Sequence, residues 1–148
     1  MKTLRRYDTL FVGFMRRWSI PLLRVCLGIV FLWFGALKIF GVSPVADLIR
    51  NAYPFTAQHH FLLTLGWWEA LIGIGLMCKC ALRATLGLLW LQMLGTLAAL
   101  ALAPWLFFAH GNIFLLTVEG EFVVKNFVLI AAGLVIGGYE VAPAGAEE

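Results

Sequence analysis

Charge is what this sequence has least of. Of its 148 residues only 13% are Asp, Glu, Lys or Arg, where soluble domains carry about 25%. That shortage excludes an ordinary water-facing surface. Cysteine is scarce as well, and three thiols, Cys26, Cys78 and Cys80, are an odd set that cannot close into a disulfide scaffold. They read as small apolar fillers. The Cys78-x-Cys80 pair is too sparse a pattern to define a redox or metal motif. There is no phosphate-cradling glycine loop, no dinucleotide fingerprint, no HExxH helix and no serine elbow, so the usual frameworks for independent hydrolysis are missing. The first apolar run also lacks an A-x-A-like cleavage site and continues to Phe40, so it is expected to stay in the membrane as an anchor.

What is present is apolar: 62% of the residues are hydrophobic, and they fall into four runs. The hydrocarbon core of a bilayer is about 30 Å thick and needs about 20 helical residues to cross. The predicted spans are 20–40, 61–77, 81–103 and 122–139 within a single transmembrane domain, 19–140, and they leave no room for a separate soluble unit. The predicted fold class is therefore an all-α membrane protein, a four-transmembrane-helix bundle. Ahead of it, Tyr7, Phe11, Phe14 and Trp18 recur at spacings of 4, 3 and 4, with Arg5, Arg6, Arg16 and Arg17 mostly elsewhere. Residues 1–18 thus read as an N-terminal interfacial amphipathic helix; a disordered basic leader is the alternative. Between the first two spans, Ser43 and Pro44 suit the start of a short surface helix. Residues 141–148 read as a short acidic tail.

The 11 Lys and Arg outnumber the 8 Asp and Glu, but the basic residues flank apolar runs, which points to lipid headgroups and not to nucleic acid. Lys2, Arg5, Arg6, Arg16 and Arg17 precede the first span, and Lys79 and Arg83 lie between the second and third. The positive-inside rule then places both termini in the cytoplasm, for a multi-pass protein of the plasma membrane or bacterial inner membrane.

Ionisable residues inside a span are expensive and face the bundle interior or water. Arg24, Gly28, Phe31, Gly35 and Lys38 follow at spacings of 4, 3, 4 and 3, so two charges and two glycines share one stripe of the first helix. Such a stripe suits close helix packing; alternatively Arg24 and Lys38 snorkel to opposite headgroup regions. Glu69 lies about eight residues into its span, roughly 12 Å deep, between Gly66 and Gly73. A carboxylate there is either one half of a helix-locking ion pair or a proton-relay or ligand-binding group. Glu121 and Lys125 stand four apart in the order that favours an ion pair. Lys125, Lys38 and Glu69 all enter from the outer side and are expected to converge. Gln92 and Thr96 share a face of the third helix and read as hydrogen-bonding glue. His59, His60 and His110 lie outside the spans, so haem or metal is not expected.

Three stretches, Leu22 to Gly41, the GWWEALIGIGL segment around Glu69, and Leu116 to Gly133, together resemble the DoxX-like membrane proteins, especially the YkgB-like subgroup. The resemblance covers spans one, two and four and implies functional positions at Arg24, Gly28, Gly35, Lys38, Gly66, Glu69, Gly120, Glu121, Lys125 and Asn126. It also implies a link to quinone-dependent sulfur oxidation within larger complexes, or to resistance against oxidants. The candidate ligand-binding set is accordingly Glu69, Lys38, Lys125, Arg24 and Glu121, with Gly28, Gly35, Gly66 and Gly73 for helix packing, a quinone as the candidate cofactor and no metal. The expected partners are the lipid bilayer and a membrane oxidoreductase complex or a second copy of the chain. The competing expectation is a non-catalytic structural or assembly subunit whose charges only lock helices together; a small transporter is a more remote third.

Overall fold

The structure is a computed structural model that describes residues 2–53 and 58–142; most of the predicted acidic tail, 143–148, lies outside the described residues. The described chain is helical, with one isolated bridge between Phe108 and Leu116. In order come α1 (Lys2–Ile39), α2 (Ala46–Ala52), α3 (Gln58–Cys78), α4 (Leu82–Leu102), α5 (Pro104–Phe107), a 3-10 turn (Ala109–Gly111), α6 (Val118–Val124) and α7 (Asn126–Glu140). Four helical stretches are long and apolar enough to cross a membrane: Arg6–Ile39, His60–Cys78, Leu82–Leu102 and Val118–Glu140. The molecule is a multi-pass membrane protein built as an all-α bundle. Its helices pack in a ring, α1 on α3, α3 on α4, α4 on α7 and α7 on α1. Side chains such as Trp33, Leu94 and Val128 stay exposed in mid-span, as apolar residues do where lipid is the solvent.

The helix ends follow from local chemistry. Gly41 takes a left-handed φ of 71°, its N–H bonds to Lys38 O at 3.1 Å, and the N–H of Val42 reaches Leu37 O at 2.9 Å. This paired closure needs a residue without a Cβ penalty at its left-handed position. It stops α1 just past Lys38. The α3–α4 turn uses the same closure with Lys79 left-handed at φ 56°, followed by a second left-handed residue, Ala81, at φ 42°. Thr117 caps α6 by accepting from Gly120 N at 3.0 Å, so the last span begins at Val118, four residues before its predicted start. Where α6 meets α7, Lys125 O accepts from Val128 N at 3.0 Å, a local tightening that leaves the two helices nearly continuous.

The predicted segment 1–18 and the first span form one helix without a break between them, Lys2–Ile39, with Pro21 inside it. At about 1.5 Å per residue, 38 residues reach about 57 Å, well beyond the hydrocarbon thickness. The short surface helix exists as α2 but begins at Ala46, two residues after Pro44.

The α1–α3 seam is made by glycines. A Cβ at position 35 would lie 2.5 Å from Gly66 O and 2.7 Å from Ala70 N; one at position 73 would lie 2.5 Å from Leu32 N and 2.7 Å from Gly28 O. Gly28 thus sits against Gly73, and Gly35 against Gly66, two close pairs along antiparallel helices. Two buried clusters fill the bundle. Leu27, Phe31, Ile72, Leu76, Leu86, Leu89, Met93 and Ile136 occupy the half nearer the chain termini. Ala52, Ala99, Ala103, Phe107 and Val123 close the distal end.

Candidate functional site

Between the two clusters the bundle forms a partly open cavity of about 510 Å³ with mostly apolar walls. Every long helix contributes to it: Phe34 from α1, Trp68 from α3, Gly95 from α4, and Phe122 and Asn126 from the last span, with α2 and Phe107 of α5 at the distal end. The charged part of its wall is one network. Lys38 Nζ donates to Glu69 Oε2 at 2.6 Å, and Gln92 Nε2 donates to Glu69 Oε1 at 2.5 Å. The ion pair is nearly sealed, with side-chain exposures of 4% for Lys38 and 8% for Glu69.

The glycine seam positions this pair. Any side chain at residue 66 would meet Lys38 Cβ and Gly35 O, both at 3.0 Å, so the close approach of α1 and α3 gives Lys38 its direct reach to Glu69. The aromatic face of Phe34 lies 6.0 Å from Lys38 Nζ, within range of cation–π attraction. On the far side, Trp68 Nε1 donates to Leu88 O at 3.2 Å and ties α3 to α4. Thr96 Oγ1 donates to Gln92 O at 3.0 Å and steadies the turn that carries the glutamine. At the distal end Tyr53, just after α2, donates its hydroxyl to Gly95 O at 2.5 Å and stacks loosely on Phe61. Burial pushes the Tyr53 phenol above its ordinary pKa, so the hydroxyl keeps the proton that this bond requires.

Asn126 completes the wall. It is 7% exposed and lines the cavity, and its side chain has no hydrogen-bond partner among the described residues. The carbonyl oxygen of Gln92, which also lines the cavity, is likewise buried and unpartnered.

The other predicted residues do not join this network. Glu121 and Lys125 are exposed, and neither lines the cavity. No ion pair links Glu121 to Lys125 among the described residues, so the expected convergence of Lys125 with Lys38 and Glu69 is replaced by its neighbour Asn126. The cause is helical phase: one residue turns the side chain by about 100°, and Asn126 holds the inward position.

Arg24 lies at the opposite end of α1, fourteen residues from Lys38 and about 21 Å away along the helix. Its Nε pairs with Glu140 Oε2 at 2.7 Å, while Nη1 donates to Leu76 O and to Met77 O, the latter at 3.1 Å. Lys79 Nζ stands 3.8 Å from the other Glu140 oxygen. This is a clamp that binds α1 to the end of α7 and satisfies carbonyls that the C-terminus of α3 leaves free. Glu140 escaped the sequence reading because it stands where the apolar run gives way to the tail. Asn126, by contrast, carries a sequence signal, since it precedes buried Gly133 by seven residues and shares its face.

The site can therefore hold a mostly apolar molecule of moderate size and present to it an ammonium already neutralised by a carboxylate, plus one free carboxamide. Comparison with protein-family models, with curated proteins and with solved structures finds no match.

Proposed function

We propose that this chain is a DoxX-like, redox-linked subunit of the plasma membrane or bacterial inner membrane, with both termini cytoplasmic, that binds a quinone in the cavity beside Lys38, Glu69 and Asn126. The observation that carries the reading is the cavity itself: about 510 Å³ of mostly apolar space with a few polar groups in its wall, among them the Lys38–Glu69–Gln92 network. Binding sites for small molecules are typically clefts or cavities of about 300–1,000 Å³ with a few placed polar groups. On this reading the subunit holds the quinone for a partner that carries out electron transfer, in a membrane oxidoreductase complex or in defence against oxidants.

A second reading keeps one specific observation in its favour. The Lys38–Glu69 pair is sealed and internally neutral, the arrangement of a helix lock in a non-catalytic assembly subunit. Gentle extraction of the native protein, followed by solvent extraction and chromatography of what remains bound, separates the two. A stoichiometric quinone supports the first; a copurifying partner protein with no bound small molecule supports the second.

A further inference from the structure

Resting on the quinone reading, the rim of the cavity points to the phase from which the ligand comes. The lining residues that are also exposed on the outer surface fall on two seams of the bundle. On one seam stand Val30 and Phe34 of α1 with Phe122 of α6, the two rings 38% and 40% exposed. On the other stand Thr64 of α3 with Leu91 and Gly95 of α4.

The two seams are closed by different means. Between α3 and α4, Trp68 Nε1 donates to Leu88 O at 3.2 Å, and Tyr53, packed on Phe61 of α3, donates to Gly95 O at 2.5 Å. Parting these helices would strand polar groups in hydrocarbon, where no water can meet them. Between α1 and α6 no hydrogen bond or ion pair crosses among the described residues. Helix α6 packs on α4 and α5, and its backbone meets that of α1 at most slightly. What bridges the gap is a ring pair, Phe34 against Phe122, with centroids 6.2 Å apart and planes tilted by 36°. Turning either ring to another rotamer opens the gap without unmaking a hydrogen bond.

Depth decides what waits outside. Phe34 lies five residues inside the end of the span Arg6–Ile39, and Phe122 four inside the start of Val118–Glu140, about 6–8 Å in each case. Exposed Glu121 and Lys125 bracket Phe122 in sequence, so the seam opens where hydrocarbon gives way to headgroups. An amphiphile dissolved in the bilayer carries its polar head at that depth. Phe34 also stands 6.0 Å from Lys38 Nζ, so a head that passes the rings arrives at the Lys38–Glu69 pair.

We propose that the ligand is a bilayer-dissolved amphiphile that enters sideways between α1 and α6, with Phe34 and Phe122 as the gate. The quinone is then a tailed, lipid-soluble one, and the two phenylalanines set chiefly how fast it comes and goes. The test follows exchange of radiolabelled decylubiquinone out of the loaded full chain in nanodiscs into an excess of quinone-free liposomes. Phe34→Ala with Phe122→Ala, at two partly exposed positions, should keep the fold and speed exchange severalfold. In a chain with Cys26, Cys78 and Cys80 replaced by Ala, Phe34→Cys with Phe122→Cys is joined by a short bismaleimide and compared with the same variant capped by N-ethylmaleimide. Joining should slow exchange by about tenfold or more, because entry and exit then wait on a seam that cannot open. Joining Thr64→Cys to Leu91→Cys should change the rate far less.

Exchange unmoved by the double alanine variant and by the α1–α6 link would overturn the gate while leaving a quinone site in place. Slowing by the α3–α4 link alone would overturn it in favour of the other seam. Failure of folded wild type to hold decylubiquinone at all would overturn the quinone reading together with the inference built on it.

Discussion

The two ends of the bundle hold buried charges of the same kind but leave them in different states. At the end near the termini, Arg24 is held from several sides: its Nε faces the Glu140 carboxylate, Nη1 donates to Leu76 O and Met77 O, and the buried cluster of Leu27, Leu76 and Ile136 occupies this half of the bundle. In the distal half, Lys38 meets one carboxylate and belongs to the wall of the cavity. A clamp and a site differ here in spare hydrogen-bonding capacity beside a void, and burial alone does not separate them.

The glycine seam is common to both ends, so disrupting it should show the largest effect. Gly35→Leu forces a side chain into Gly66 and Ala70 backbone, whereas Gly28→Leu meets first the movable Met77 side chain. Gly35→Leu is expected to cost about 3 kcal/mol or more and Gly28→Leu less, with Val30→Leu close to wild type, all read by thermal unfolding in detergent. Equal losses at 28, 30 and 35 would remove the seam from the account. Next in size is the clamp. Among the described residues Arg24→Met leaves Glu140 with only the more distant Lys79, and breaking a buried pair costs about 3–5 kcal/mol. Quinone retained per folded molecule should not change, and a loss of ligand with unaltered stability would reverse the roles assigned to the two ends.

A smaller effect is expected at the distal closure. Tyr53→Phe removes the bond to Gly95 O and should cost about 1 kcal/mol at neutral pH. Because burial raises the phenol's pKa in the folded state, this contribution is complete below the ordinary value of about 10 and disappears as pH rises through the raised one. The difference between wild type and Tyr53→Phe in unfolding free energy, followed from pH 7 upward, should be flat and then shrink; growth above pH 10 would contradict it. The smallest effect has the opposite sign. Ala81 is held left-handed at φ 42°, so Ala81→Gly should stabilise by up to about 1 kcal/mol in chemical unfolding. Destabilisation would mean that the turn is not strained.

Much of this architecture was legible in the sequence because the bilayer fixes how long an apolar run must be: spans two to four lie within four residues of their predicted bounds, and the first ends one residue from its predicted end, although its helix starts far earlier, at Lys2. The Gly28, Gly35, Gly66 and Gly73 register was legible for a similar reason: glycines seven apart on two helices present matching gaps. Lys38 and Glu69 stood out as charges in costly surroundings. Lys125 misled because its charge drew notice from Asn126, one position on and facing inward. Arg24 shared a helical stripe with Lys38, but a stripe runs the length of a helix and does not say which end is the site. The left-handed Lys79 and Ala81 carried no signal, since glycine is the usual mark of such turns.

The claim that the distal pair is a site and the terminal pair a clamp is tested most directly by removing each pair whole. Replacing a buried pair by apolar residues of similar size is often neutral for stability, so Lys38→Met with Glu69→Leu, and separately Arg24→Met with Glu140→Leu, can be compared as folded proteins. Decylubiquinone affinity is then measured for both in nanodiscs. The account predicts a loss of about tenfold or more for the distal replacement and an affinity within twofold of wild type for the terminal one, roughly the scatter of such titrations. Equal affinities in the two variants, or the greater loss at Arg24 and Glu140, would contradict it.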